Sequence, residues 1–161
     1  MRLTVYSDYA LRLLMYLAVR VDRLSTTAEV ASAYNISANH LMKVVRELGQ
    51  AGYITTVRGR SGGMRLGRPA DEIGLGEVVR LTEPDMDTAP CFDPENRDCP
   101  LWRVCRLNAT LDRARLAFLA VLDETTLADL AVTPGPLRAH LGIGAEALRT
   151  TTVPHASRNR K

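Results

Sequence analysis

Apolar residues recur at helical spacing along the N-terminal third of the 161-residue chain, and they predict three helices. The first helix is expected over residues 9–19, with Ser7 and Asp8 before it as capping residues. A short second helix is expected over residues 28–34, where Glu29 suits the positive end of the helix dipole. A break at Asn35 then predicts a turn before the third helix.

The third helix is expected over residues 38–48, capped by Ser37, with one apolar and one polar face. Its apolar positions follow i, i+3, i+4, i+7 spacing: Leu41, Val44, Val45 and Leu48. A short helix, a tight turn and a longer helix form the helix-turn-helix layout, whose second helix presents its first residues to base edges. The candidate DNA-contacting residues here are Ser37, Asn39, His40 and Lys43. The competing interpretation is an ordinary solvated helix face.

The segment after the third helix predicts a β-hairpin. Residues 53–57 are rich in β-branched and aromatic side chains, and residues 64–66 form a return strand. The intervening tip, residues 58–63, is basic and rich in glycine, so Arg58 and Arg60 are candidates for contact with a DNA minor groove. The tip has neither P-loop spacing nor a dinucleotide-binding fingerprint, which excludes a nucleotide loop. Together these elements predict a winged helix-turn-helix.

The rest of the chain predicts further helices separated by an acidic loop. A helix is expected over residues 69–83, ended by Pro84, and the proline-rich stretch 85–98 is expected to be a loop. Residues 106–122 carry more apolar surface than a small domain covers, which predicts a dimerisation helix. A short helix at 126–130 and a mobile, weakly basic tail at 133–161 complete the chain. The fold class is mainly α with a small β-hairpin wing, and the predicted units are residues 1–83, 84–105, 106–132 and 133–161.

The formal net charge is only +3, but it is unevenly distributed. Residues 1–70 contain ten Lys and Arg against four Asp and Glu, whereas residues 71–130 contain six against thirteen. A basic first part favours a polyanion, and double-stranded DNA is the natural partner. The first helix is short and interrupted by Arg12, so no membrane span or signal peptide is expected, and a cytoplasmic location follows. No paired nucleophile and base is found, so an enzyme is not expected.

All three cysteines fall within one short stretch: Cys91, Cys99 and Cys105. Thiols with C-x7-C-x5-C spacing in a proline-interrupted loop can fold onto one centre, as a thiolate-ligated metal or iron–sulfur cluster requires. A disulfide would leave one thiol over, and the acidic residues of the loop disfavour a reactive thiol switch. Zinc would need a fourth ligand. A metal or iron–sulfur site is therefore the leading hypothesis, with zinc and a thiol switch as alternatives.

Several segments together resemble one known family. These are residues 1–4, residues 7–12, the wing at 57–63, residues 73–78, the three cysteines and residues 126–130. The combination is similar to the Rrf2 family of bacterial winged-helix regulators over residues 1 to about 132. Within that family it most resembles the branch that senses nitric oxide.

The resemblance implies a homodimeric repressor that binds a palindromic operator and carries an iron–sulfur cluster, with [4Fe-4S] favoured over [2Fe-2S]. It implies nitric oxide as the signal and Asp8 as a ligand to the partner subunit's cluster, whereas the structural alternative for Asp8 is to stabilise the start of the first helix. A histidine that completes the cluster in the cluster-biogenesis branch is replaced here by Asn108, which weakens that branch. The alternatives are a regulator that senses cluster supply or redox state and, from a different class, an iron–sulfur electron-transfer protein.

Overall fold

The computed structural model describes residues 2–93, 95–96 and 98–144. In chain order the elements are α1 (Val5–Val19), α2 (Thr27–Tyr34), α3 (Ala38–Gln50), β1 (Ile54–Val57), β2 (Gly63–Leu66), α4 (Leu75–Thr82), α5 (Arg106–Asp123), α6 (Leu127–Leu130) and α7 (Pro134–His140). Short 3₁₀ turns lie at Ala70–Glu72 and Pro90–Phe92. The prediction of a mainly helical fold with one small hairpin is confirmed. None of the described helices combines the length and the apolar character that crossing a bilayer requires.

α1 is the central helix of the hydrophobic core. Leu13 and Leu17 on this helix are no more than 2% exposed. The helix begins four residues earlier than predicted because Thr4 caps it, and not Ser7 or Asp8. The Thr4 hydroxyl accepts a hydrogen bond from the Ser7 amide, which satisfies one of the free N–H groups at the helix start. Ser7 itself is completely buried, at the contact with α4.

α2 and α3 form the predicted helix-turn-helix. α2 begins with a capping box in which Thr26 and Glu29 exchange hydrogen bonds, one residue before the predicted start. The turn places Asn35 in the left-handed region (φ 52°), which asparagine tolerates better than most residues. α3 starts after Ser37, as predicted, and packs against α1. Its buried residues are Leu41, Val44 and Leu48.

β1 and β2 pair in antiparallel register to form the wing. Val57 lies opposite Gly63, so the five residues between them form the tip. Gly59 lies in this tip with φ 113°, a conformation that L side chains rarely adopt. The hairpin is attached to the body through Met64, whose backbone exchanges hydrogen bonds of 2.8 and 2.9 Å with Ser25. The predicted wing is therefore present, and it is anchored to the segment before α2.

The single helix predicted over residues 69–83 is wrong in its first half. The chain there forms a 3₁₀ turn, and α4 begins only after Ile73 and Gly74. The reason is tertiary, because this stretch pairs with the chain that leads into α6. Leu127 donates its N–H to the Ile73 carbonyl at 2.8 Å, and Leu75 donates to the Thr125 carbonyl at 2.9 Å. Spacing within residues 69–83 carries no information about that distant partner.

The segments after α5 return to the core. Leu127 of α6 is completely buried in the same hydrophobic cluster as α1. The prediction of a mobile tail from residue 133 is wrong for residues 133–144, because Pro134–His140 is helical and Ile143 is only 6% exposed. Pro134 lies at the first helical position, where a missing N–H costs nothing. Burial of the neighbouring apolar residues then outweighs the local proline and glycine content. Residues 145–161 of the predicted tail lie outside the described residues.

Candidate DNA-binding surface and cysteine segment

The first turns of α3 carry the residues predicted to read bases. Asn39, His40 and Lys43 are all exposed, and Asn39 and Lys43 lie on the face opposite the buried stripe of the helix. Ser37 is also exposed, but its hydroxyl accepts a hydrogen bond from the His40 amide at 3.4 Å. Capping the helix is therefore the contact that the structure shows for Ser37. The structure brings these four residues together at the exposed N-terminal end of α3.

An open groove separates α3 from the wing. It encloses about 890 Å³. Its polar side chains come from both elements: Arg46, Gln50, Thr55, Thr56 and Arg58. Arg60 is exposed at the wing tip beside it. Sequence reasoning missed Arg46, although the spacing was informative, since Arg46 follows Lys43 by three positions and Asn39 by seven and so shares their helix face.

Tyr6 of α1 contacts α3 from the other side. Its hydroxyl donates to the Glu47 carboxylate and lies 3.2 Å from the Lys43 carbonyl oxygen. Burial, the hydrogen bond to Glu47 and the negative charge of that carboxylate raise the pKa of Tyr6 to about 12. The hydroxyl therefore keeps its proton, and its role as a donor, at neutral pH.

A second polar cluster fixes the base of the wing. The Arg68 guanidinium lies 4.4 Å from the centre of the Tyr53 ring and 2.8 Å from the Glu77 carboxylate of α4. Tyr53 is 7% exposed, and its hydroxyl donates to Glu77 at 3.3 Å. Burial raises the pKa of Tyr53, and the nearby Glu77 carboxylate raises it further. The wing is consequently held by α4 as well as by the segment before α2.

The three cysteines lie between α4 and α5, and all are free thiols. Cys91 and Cys105 are half-buried and Cys99 is exposed, with Cys105 at the N-cap position of α5. The Asn108 side-chain amide donates to the Cys91 sulfur at 3.4 Å, which places Cys91 beside the start of α5. Within residues 2–93, 95–96 and 98–144, no three His, Cys, Asp or Glu side chains are grouped as a metal site. Within one chain, Cys91 and Cys105 therefore both lie at the N-terminal end of α5. The three thiols of the described chain are not grouped together as a metal site.

Asp8 lies in the first turn of α1, where a carboxylate suits the helix dipole. It forms an ion pair with Arg12 at 2.9 Å, and both side chains are about two-fifths exposed. Arg12 in turn lies 5.7 Å from the centre of the Tyr34 ring on α2. The described residues of one chain do not group Asp8 with the cysteines as metal ligands.

α5 exposes apolar side chains along its length. Leu107, Leu116 and Val121 are between 51% and 64% exposed, whereas Leu119 is buried. The helix is held on α4 mainly at its C-terminal end, where Arg80 and Asp123 form two hydrogen bonds of 2.6 Å. Exposed apolar surface of this extent is typical of a protein–protein contact.

An exposed recognition face on a helix-turn-helix, next to a basic wing with a glycine at its tip, defines a winged-helix DNA-binding protein. The chain belongs to the Rrf2 family, described as an iron-dependent transcriptional regulator, whose family model matches residues 3–133. The resemblance inferred from the sequence is thereby confirmed. The protein is a DNA-binding transcriptional regulator and not an enzyme.

Known relatives and solved structures agree with this assignment. The HTH-type transcriptional regulator NsrR of Bacillus subtilis is 51% identical over 131 residues, covering 81% of this chain and 90% of that protein. The structure of CymR, the global cysteine regulator of B. subtilis, is 28% identical with a TM-score of 0.66, covering 82% of this chain and 97% of that one. The IscR structure from T. potens has a TM-score of 0.68 at 19% identity, over 86% of this chain and 91% of that one, and supports the fold alone.

Proposed function

We propose that this protein is a cytoplasmic repressor that binds a palindromic operator as a homodimer and releases it when nitric oxide reacts with an iron–sulfur cluster. The observation that carries the proposal is the position of three free thiols in the segment that connects α4 of the winged helix to α5. A group bound there lies at the joint between the DNA-binding part and the exposed helix. A change in its chemical state is therefore well placed to alter DNA binding.

The donor set fits an iron–sulfur cluster. Cys91, Cys99 and Cys105 supply three soft thiolate ligands, and none of them is engaged in a disulfide. The description of the family as iron-dependent favours iron over zinc. The sequence resemblance to the branch that senses nitric oxide favours the [4Fe-4S] form over [2Fe-2S] and nitric oxide as the signal, and the name NsrR of a 51% identical relative agrees with that resemblance. When bound, the cluster supplies iron atoms with which nitric oxide reacts.

Asp8 of the partner subunit is the proposed fourth ligand. Three cysteines leave one iron of a [4Fe-4S] cluster without a thiolate, and a carboxylate oxygen binds iron less firmly than sulfur does. A carboxylate bound there would be easily displaced by a diatomic ligand. Asp8 is partly exposed and pairs with Arg12 in the described chain, so within its own chain only a surface ion pair would be lost on binding iron.

The proposed DNA-binding mode follows from the exposed face of α3. Asn39, His40 and Lys43 face base edges in the major groove, and the N-terminal end that Ser37 caps approaches the phosphates. Arg58 and Arg60 at the wing tip contact the minor groove. The groove between α3 and the wing takes the sugar–phosphate backbone, because its lining combines two arginines with neutral hydrogen-bonding side chains: Arg46, Arg58, Gln50, Thr55 and Thr56.

The apolar side chains that α5 exposes are the proposed dimer contact. Burial of Leu107, Leu116 and Val121 against a second copy removes these side chains from water. Two-fold symmetry then presents two α3 helices to two half-sites, which matches a palindromic operator. Leu116→Glu is expected to convert the dimer to monomers in sedimentation velocity experiments.

An anaerobic DNA titration tests the proposed function. The probe is a duplex enriched from random sequence by the wild-type protein itself. Anaerobically purified protein is expected to show the visible absorbance of an iron–sulfur cluster and to lose roughly ten-fold or more in duplex affinity after addition of nitric oxide. An unchanged affinity, in a protein whose absorbance shows that the cluster has reacted, would contradict the proposal.

Three single variants provide the control: Cys91→Ala, Cys99→Ala and Cys105→Ala. Each is expected to lose the cluster absorbance while keeping its helical content, because none of these thiols lies in the core. Variants that keep the wild-type spectrum would show that the cysteines are not the ligands, and the zinc and thiol-switch alternatives would return. A response to iron depletion or oxidation, but not to nitric oxide, would favour the sensor of cluster supply or redox state.

A further inference from the structure

The start of α1 is attached to the point where the cysteine segment begins. The Glu83 carboxylate, which directly follows α4, accepts hydrogen bonds from the Thr4 amide at 2.8 Å and from the Thr4 hydroxyl at 3.2 Å. Residues 2–4 and 83–87 line one cleft of about 250 Å³. A displacement of the segment after Glu83 therefore acts directly on the residue that caps α1.

The same end of α1 is attached to the recognition helix. Two positions after Thr4, the Tyr6 hydroxyl donates to the Glu47 carboxylate of α3 and lies 3.2 Å from the Lys43 carbonyl oxygen. Lys43 carries its own side chain on the exposed face proposed to contact DNA. Tyr6 thus contacts the backbone of α3 at Lys43, whose side chain is proposed to contact DNA.

A buried hydroxyl pair makes the intervening joint stiff. The Thr82 hydroxyl donates to the Ser7 hydroxyl at 2.8 Å and lies 2.9 Å from the Val78 carbonyl oxygen, and both Ser7 and Thr82 are buried. Buried hydrogen bonds are costly to leave unmade, so this contact holds α1 and α4 in fixed register. The buried pair lies beside the Glu83–Thr4 contact, so the start of α1 and the end of α4 are held together at two points.

We propose that residues 4–6 are a positioning element that transmits changes in the cysteine segment to α3, through the Glu83–Thr4 and Tyr6–Glu47 contacts. The inference rests on the proposed function for the origin of the change, since a reaction at the cluster would move the segment. Tyr6 and Glu83 themselves contact neither DNA nor the thiols. They act by setting where α3 lies relative to the wing.

A double-mutant cycle on the full-length protein tests this element. Tyr6→Phe removes the hydroxyl, and Glu83→Met removes the acceptor for Thr4. Each is expected to weaken binding to the selected duplex roughly five-fold, about the effect of one hydrogen bond, without changing the salt dependence. The double variant is expected to bind the duplex about five-fold more weakly than the wild type, as each single variant does, because both changes interrupt one line of contacts. Losses that multiply in the double variant would overturn the proposal.

Isosteric variants separate positioning from charge and folding. Glu47→Gln and Glu47→Met both remove the charge, but only glutamine still accepts the Tyr6 hydrogen bond, so only Glu47→Met should weaken binding. Glu83→Gln, which still accepts a hydrogen bond from Thr4, should likewise keep wild-type affinity, unlike Glu83→Met. Equal behaviour of the glutamine and methionine variants would overturn the proposal. The cycle compares duplex affinities without nitric oxide, so a wild-type protein that ignores nitric oxide would refute the proposed function while the cycle still decides the coupling.

Discussion

Side chains on the proposed DNA-binding surface are expected to divide into those that contact phosphate and those that read bases, and the salt dependence of binding separates the two groups. Arg46→Gln and Arg58→Gln are each expected to weaken binding to all duplexes and to lower the slope of log affinity against log salt by about 1. Asn39→Ala is expected to change base preference with no change in slope, because an uncharged side chain releases no counterion. Fluorescence anisotropy over a range of salt concentrations measures both effects.

Arg113→Gln is the matched control for these arginine variants. Arg113 is exposed on α5, which packs on α4, and its replacement removes the same charge. Its salt slope should remain that of the wild type. A slope that falls equally in Arg46→Gln and Arg113→Gln would show that net charge, and not the groove, determines the affinity.

Glu29 gives the helix-turn-helix a pH dependence. Burial alone would raise the pKa of Glu29, but hydrogen bonds from Arg23 and Thr26 and the charge of Arg23 outweigh it and lower that pKa. A carboxyl whose pKa is lower in the folded state stabilises the fold above its unfolded pKa, and this contribution is lost as the pH falls through the folded pKa. Glu29→Gln is therefore expected to be less stable than the wild type at neutral pH and equally stable in acid.

Denaturant unfolding of the cluster-free protein between neutral and acidic pH measures this difference. Asp71→Gln is a suitable control, because Asp71 is exposed in the 3₁₀ turn and no hydrogen bond of its side chain is found within the described chain. A stability difference for Glu29→Gln that stays constant across the pH range would refute the role of ionised Glu29.

At the scale of secondary-structure elements, the ion pair between α4 and α5 depends on the absence of a side chain at Gly76. A Cβ there would lie 1.9 Å from an oxygen of the Asp123 carboxylate. Asp123 is the residue that holds Arg80 through two short hydrogen bonds, and this pairing raises the pKa of Arg80 and lowers the pKa of Asp123. The glycine therefore allows the two helices to approach closely enough for the ion pair to form.

Gly76→Ala is expected to lower the thermal unfolding midpoint to about the same extent as Asp123→Asn, since both disrupt the Arg80 pairing. Combining the two should add little, because the ion pair can be lost only once. Gly135→Ala is the matched control, since Gly135 is the second residue of α7, as Gly76 is of α4, and a Cβ at Gly135 meets no atom within 4 Å. Equal midpoints for the Gly135 and Gly76 variants would contradict the steric argument.

At the scale of the whole molecule, the proposed cluster site is complete only in a dimer. A heterodimer of one Asp8→Ala subunit and one subunit that lacks all three cysteines distinguishes the possible arrangements. If Asp8 ligates across the dimer, the thiols of the first subunit and the carboxylate of the second rebuild one complete site. The purified heterodimer is then expected to show a native cluster spectrum and a response to nitric oxide.

The two homodimers are the controls for this experiment. The cysteine-free homodimer should bind no cluster, and the Asp8→Ala homodimer should show an altered spectrum because one weak ligand is missing. An altered spectrum in the heterodimer as well would place the Asp8 ligand within its own chain. A native spectrum in the Asp8→Ala homodimer would show that Asp8 is not a ligand.

Much of the fold, and the exposure of the proposed DNA-binding residues, could be predicted from the sequence because the relevant signals are local. The Ser37 cap and the apolar stripe of α3 lie within a few turns of one another, and they predicted the start of that helix to the residue. Helical spacing also predicted that Asn39 and His40 are exposed, although Arg46 on the same face was overlooked. The grouping of the three cysteines within a single short segment is likewise visible in the sequence, and their role as ligands stays a prediction.

Only the tertiary structure decided the features that join distant positions. The break before α4 arises from pairing with the chain ahead of α6, and α7 forms where a proline-rich stretch buries Ile143. The contact of Tyr6 with Glu47 spans 41 positions, and that of Thr4 with Glu83 spans 79. Spacing along the chain reports neighbours within one or two turns of a helix, whereas such distant pairs meet only because the hydrophobic core has already brought α1, α3 and α4 together.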